Sequence, residues 1–157
     1  MNRTGFSLKE LKKAIIVLNK NKKHLIIKGI SSHFAGAESI ANYTRIKKQF
    51  SVFKQRIKLL NENNITAKIK HIASSAATIS YPETQLDLIR TGILIYGYWP
   101  TKETFIQYIH RRKEKSDPLK RALQWKTQVV LTKEIPTGEF VGYGMSYQAQ
   151  HKMKIML

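Results

Sequence analysis

The chain has no cysteine at all, so no disulfide framework and no thiolate metal centre can be drawn from it, and a reducing compartment is the expected setting. Long apolar runs are missing too. The stretches that begin at Ala14 and at Ile93 are only a few residues each, far short of the ~18–20 that cross a bilayer. No charged head followed by an apolar core opens the chain, so no secretory leader is read, and the sequons at Asn2, Asn42 and Asn64 are taken as chance. Acidic residues are scarce, 10 Asp and Glu against 28 Lys and Arg, for a formal net charge of +18 over 157 residues. Between Glu10 and Glu62 the sole acid is Glu38. Such a field attracts polyanions, yet no zinc-finger spacing, aromatic RNA-binding signature or long basic block accompanies it. The charge is therefore read as a solvated surface, with no specific nucleic-acid partner and no membrane partner.

What is present has a clear rhythm. Ser7-Leu8-Lys9-Glu10 is a capping box, and Leu8, Leu11, Ile15 and Leu18 follow at helical spacing. Residues 24–30, short, β-branched and closed by Gly29, read as a strand. From Ile40, apolar residues at Tyr43, Ile46, Phe50, Phe53, Ile57 and Leu60 make one face of a second helix. Residues 65–71 read as another strand, 75–88 as loop and helix, and 92–98 (GILIYGY) as a third strand. A βαβαβ order implies a parallel sheet with right-handed crossovers, whose ligands sit at the carboxyl ends of the strands. Ser31, Ser32, His33 and residues 71–75 fall there.

The pattern changes after Arg111-Arg112-Lys113, at Asp117-Pro118. Residues 122–129 alternate as a strand, Pro136-Thr137-Gly138 reads as a turn, 139–150 as a further strand and 152–157 as a strand that stops without a neighbour. Two parts are expected, residues 1–114 and 115–157.

Five collinear pieces carry a resemblance: residues 1–6 (MNRTGF); Ser32-His33-Phe34-Ala35; 71–78 (HIASSAAT); 87–93 (DLIRTGI) with Tyr96-Gly97; and 138–144 (GEFVGYG) with Tyr147. Together they resemble the fold-type III pyridoxal-phosphate alanine racemases along the whole chain. The resemblance implies an α/β fold, part of a (β/α)8 barrel followed by the beginning of a mostly β domain. It implies a cytoplasmic enzyme that interconverts L- and D-alanine for peptidoglycan precursors, acts as a homodimer and uses pyridoxal 5'-phosphate.

The resemblance also assigns residues. Arg90 matches the arginine facing the pyridine nitrogen; a guanidinium can only donate, so the nitrogen stays unprotonated and the ring withdraws electrons less strongly. Tyr143 matches the catalytic tyrosine, contributed across the dimer interface, whose phenol, of pKa near ~10, needs a donor or a positive charge beside it to ionise. His33 matches that tyrosine's hydrogen-bonding neighbour, and His71 the group behind Arg90. Ser75 and the backbone N–H groups of Gly92 and Ile93 match the phosphate cradle. Arg3 matches the arginine that reaches the cofactor's phenolic oxygen and the substrate carboxylate.

Two positions depart from the pattern: Ser74 stands where asparagine is frequent, and Ser32 where threonine is. No residue of the chain matches the lysine that carries the cofactor, nor the downstream tyrosine and methionine of the pocket. The chain is thus expected to be an internal piece, inactive alone. The other readings are a non-catalytic basic remnant that binds nucleic acid nonspecifically and a serine-racemase relative.

Overall fold

The computed structural model describes residues 3–157, which divide into two compact units, Met1–Leu123 and Gln124–Leu157. In the first, helix α1 (Leu8–Lys20) starts where the capping box requires. The Ser7 N–H donates to the Glu10 carboxylate at 2.7 Å, and the Glu10 N–H donates to the Ser7 hydroxyl at 3.3 Å. Leu11 and Ile15 are its buried stripe and pack with Leu60 and Ile65. Strand β1 (Gly29–Ser31) follows. Helix α2 (Tyr43–Glu62) comes next, entered through a 3-10 turn at Ile40–Asn42. Its buried positions Ile46, Phe50, Phe53 and Leu60 follow the predicted stripe, whereas Tyr43, its first residue, is exposed.

Strand β2 (Ile69–His71) pairs in parallel with β1 in the register Gly29↔Ile69, Ile30↔Lys70, Ser31↔His71. Gly29 is required by this pairing, because a Cβ there would lie 2.7 Å from the Ile69 carbonyl oxygen. Helix α3 (Ser75–Ser80) leaves the end of β2, and Ala76, Ala77, Ile72 and Phe34 join Ile46, Phe50 and Phe53 in the main core. Helix α4 (Lys102–His110), which the sequence reading did not single out, packs on α3; its start is fixed by the Thr101 hydroxyl, which accepts from the Thr104 N–H at 3.2 Å.

Several expectations are corrected. Both predicted strands of this unit shrink to three residues: 25–28 and 65–68 find no ladder, although Ile65 and Ala67 are buried. The expected third strand at 92–98 is absent. Its place in the sheet is held by one parallel bridge, Ser74↔Arg90, and Ile93–Tyr96 form a 3-10 helix. The cause is local. The Gly92 N–H is committed to the Ser75 hydroxyl, Ile95 bonds back to Gly92, and Gly97 at φ +80° reverses the chain against Lys120. A short apolar run between glycines satisfies either conformation by pattern alone. The described residues therefore form a mixed α/β unit and show no closed barrel.

In the second unit, β3 (Thr132–Ile135) pairs antiparallel with β6 (Met153–Met156), so the last strand does have a neighbour. The strand expected over 139–150 is instead a hairpin of β4 (Phe140–Val141) and β5 (Tyr147–Gln148), turned by Gly142 at φ +86° and Met145 at φ +48°. Residues 122–129 carry the alternation of a strand but no ladder, and Trp125 is 94% exposed. Alternation prepares two faces; only a partner strand makes a sheet. Residues 116–123 run back along the first unit, with the Ala122 N–H donating to the Tyr96 carbonyl at 3.2 Å, and are counted with it in the division into compact units.

Ile46 has no exposed surface and sits at the centre of the main core. Ile46→Ala is expected to cost about 2–5 kcal/mol of stability, read from the urea unfolding midpoint of the whole chain; a loss under ~1 kcal/mol would mean that this core does not hold the unit together.

Candidate functional site at the strand ends

The carboxyl ends of β1 and β2 and the bridge to Arg90 bring His33, His71, Ser75, Arg90 and Gly92 to one edge of the sheet. The main chain fixes Arg90 first: its N–H donates to the Ala73 carbonyl at 3.0 Å. Three residues earlier, Asp87 accepts from the Lys70 N–H at 2.7 Å and from its ammonium at 3.3 Å, while its own N–H donates to the Lys70 carbonyl at 3.1 Å. These bonds hold the Asp87 carboxyl below its ordinary range, the Lys70 N–H first. Asp87, which opens the 87–93 piece but was given no role from the sequence, is thus the pin that sets the approach of Arg90 to β2.

The Arg90 side chain returns across both strands. Nη2 donates to the Ser32 carbonyl, lies 3.4 Å from the Ile72 carbonyl and 3.4 Å from Nδ1 of His33. A guanidinium has no lone pair to offer, so a hydrogen bond in this pair forms only with the neutral His33 tautomer that carries its proton on Nε2. In that tautomer His33 is prepared to donate from Nε2. Among the described residues, the buried Arg90 Nε–H has no acceptor and the buried Nδ1 of His71 has no partner. Burial, then Arg90, then Arg3 hold the His33 pKa below the ordinary 6.5; burial and then Arg90 do the same for His71. Arg3 is exposed and near enough to His33 for its charge to act there.

Beside this cluster, the buried Ser75 hydroxyl accepts from the Gly92 N–H at 2.9 Å, so its own proton is available to another acceptor. A Cβ on Gly92 would meet nothing within 4 Å, which leaves open space above the backbone. The Ile93 N–H, at the start of the 3-10 turn, has no acceptor among the described hydrogen bonds. A free hydroxyl proton and a free backbone N–H beside an open glycine, with the Arg90 guanidinium at the neighbouring strand ends, suit an anion with several acceptor oxygens. Tyr143 belongs to the second unit, at the tip of the β4–β5 hairpin between Gly142 and Gly144, and is fully exposed.

The arrangement is that of a mixed α/β unit in which a pair of parallel strand ends carries an arginine–histidine cluster beside a glycine turn. Residues 1–100 match the profile of the alanine racemase N-terminal domain, and the chain belongs to the alanine racemase family. It is 34% identical over 156 residues to alanine racemase 1 of Caldanaerobacter subterraneus subsp. tengcongensis, covering 99% of this chain and 37% of that protein. To the alanine racemase of Methanococcus maripaludis it is 31% identical over 155 residues, covering 99% and 39%. Its coordinates superpose on the crystal structure of alanine racemase from Bacillus anthracis with bound L-Ala-P at a TM-score of 0.74 and 28% identity, covering 99% of this chain and 38% of that one. The chain thus spans less than two fifths of the length of these relatives.

Because both histidines resist protonation when folded, the unfolded chain binds more protons below pH 6.5. Their contribution is complete above that value and is lost as the pH falls from it through the lower folded pKa values. The urea midpoint is therefore expected to fall between about pH 7.5 and about pH 5.5, above the range where the carboxylates titrate. Arg90→Met should flatten that fall, since it removes a charge that opposes both imidazolium ions. An equal slope in the variant would contradict the coupling.

Proposed function

We propose that this chain is the part of an alanine racemase that binds pyridoxal 5'-phosphate and supplies the acid–base groups, from the later strands of its (β/α)8 barrel into its β domain. The observation that carries the reading is the Arg90–His33–His71 cluster beside the Ser75–Gly92 pair. The residues fit the cofactor: Arg90 has unmet donor capacity, Ser75 and Ile93 have free donors, and a side chain on Gly92 would fill the cradle. When bound, the cofactor makes the Cα–H bond of an attached amino acid acidic by accepting electrons from Cα.

The protein's own groups then decide the outcome. Arg90 donates to the ring nitrogen and, with no proton acceptor of its own, keeps that nitrogen unprotonated. That limits the electron withdrawal and favours return of a proton to Cα. The Ser75 hydroxyl and the Ile93 N–H would hold the phosphate, the Gly92 N–H, which donates to Ser75, would orient that hydroxyl rather than reach the phosphate itself, and His71 would support the guanidinium from behind. Arg3 orients the substrate carboxylate. His33 donates from Nε2 to the phenol oxygen of Tyr143 and stabilises its ionised form, so that Tyr143 can take or give the Cα proton on one face. The lysine that carries the cofactor acts on the other face, and no residue here corresponds to it.

Tyr143 is contributed by the partner of a homodimer, a role that its exposed position on a hairpin tip supports. The product, D-alanine, feeds peptidoglycan precursors in the cytoplasm; no described helix is long and apolar enough to cross a membrane. The surplus of lysine is read as solvated surface, with no specific nucleic-acid partner.

A chimera in which this chain replaces the matching segment of the Caldanaerobacter subterraneus enzyme tests the reading. It is expected to racemise alanine faster than serine. Tyr143→Phe should lower its kcat at least ~100-fold, the usual contribution of a general acid–base group. A folded, cofactor-loaded chimera without racemase activity would sink the proposal.

The 157-residue chain alone is expected to form no D-alanine above the rate of free pyridoxal phosphate in a D-amino-acid-oxidase-coupled assay. Turnover above that level would mean that a lysine of this chain carries the cofactor.

A further inference from the structure

His33 lies beyond the last residue of β1 and is itself exposed. Its one side-chain contact, 3.4 Å from Arg90, is too long to hold a ring in place. What fixes it comes from the next two residues. Phe34 is buried against Phe50 of α2, the rings 6.4 Å apart and edge to face. Ala35 is gripped by the residue adjacent to Phe50: the Ala35 N–H donates to Gln49 Oε1 at 2.9 Å, and Gln49 Nε2 donates to the Ala35 carbonyl at 3.1 Å. A side-chain amide thus pairs with both main-chain groups of one residue, as a neighbouring strand would. The segment has no neighbouring strand there, since the β1–β2 ladder ends at Ser31↔His71, extended only by the Ser32 N–H to the His71 carbonyl.

We propose that Gln49 is the positioning residue for His33: by completing the ladder at Ala35 it sets where the imidazole stands relative to Arg90. The chemistry of the side chain is specific. Glutamine alone among side chains of this length offers a donor and an acceptor side by side. Glutamate would keep the bond from the Ala35 N–H and face the carbonyl with a second acceptor. Methionine would fill the same volume with neither bond. Because both partners are main-chain groups, the grip does not depend on which residue occupies position 35. The consequence for proton transfer rests on the proposed function; the placement of His33 does not.

The experiment is nitrogen-15 NMR of the histidine rings in the whole chain without cofactor, so that failure to bind pyridoxal phosphate would count against the proposed function alone. Among the described residues, Arg90 and Arg3 oppose its protonation and Glu38 favours it. The wild-type ring is expected to be neutral with the proton on Nε2 and to titrate below 6.5. Gln49→Met, with unchanged helix content by circular dichroism, is expected to give a mixture of tautomers at His33 and a His33 titration that moves up toward 6.5. Phe53→Leu, which loosens the same helix without touching Ala35, is the control and should leave the His33 signals in place. Should Gln49→Met fail to fold, Gln49→Glu carries the same expectation in weaker form. Unchanged His33 signals in a folded Gln49 variant, or an equal change in Phe53→Leu, would overturn the assignment.

Discussion

One guanidinium ties the first unit together at the place where it could do chemistry. The sheet has only two true strands, and what would be the third contributes a single bridge, Ser74↔Arg90. Arg90 compensates with its side chain, which crosses back over both strand ends to the carbonyls of Ser32 and Ile72. Those bonds fix the ends of β1 and β2 relative to each other, bring a permanent positive charge beside two histidines and leave one N–H unmet. Burial and then this permanent charge hold both histidine pKa values down, and the group that carries the charge donates only and never loses its proton.

A positive cluster of this kind opposes folding unless something holds it, and the holding is done by main-chain geometry. Asp87 anchors the approach to Arg90 on Lys70, and the Ser75 hydroxyl secures Gly92. Gln49 fastens the residues that follow His33. None of the three is buried in the sense that Ile46 or Ile72 is, except Ser75. Their bonds are nevertheless made to backbone N–H and carbonyl groups that the short strands leave without ladder partners, and such groups are costly to bury unpaired. The core beneath, Phe34, Phe50, Ile72 and Ala76 among others, sets the platform on which these bonds form.

The short strands also account for the large apolar surface. Leu25, Ile26, Ile93, Ile95 and Trp125 are all substantially exposed, and each lies in a segment whose sequence has strand character but whose ladder is absent. Patches of this kind mark places where other protein surface belongs. They agree with a chain that spans less than two fifths of the relatives it matches.

The sequence by itself determined the two long helices, because a capping box and an uninterrupted apolar stripe depend on neighbours three and four residues away. It also determined which residues meet at the strand ends: His33, His71, Ser75, Arg90 and Gly92 were legible from short collinear pieces and from the rule that parallel strands present their carboxyl ends to ligands. The extent of the strands was decided only by the tertiary structure. Alternation at 122–129 and apolar runs at 24–30 and 92–98 specify faces, whereas a ladder needs a second backbone at hydrogen-bonding distance, and that backbone lies far along the chain or is not there. For the same reason Asp87 and Gln49 were given no role in the sequence reading. Each acts on the main chain of a residue that is 17 or 14 positions away, respectively. A bond to a backbone group leaves no mark on the identity of its partner, so only the fold could bring the two together.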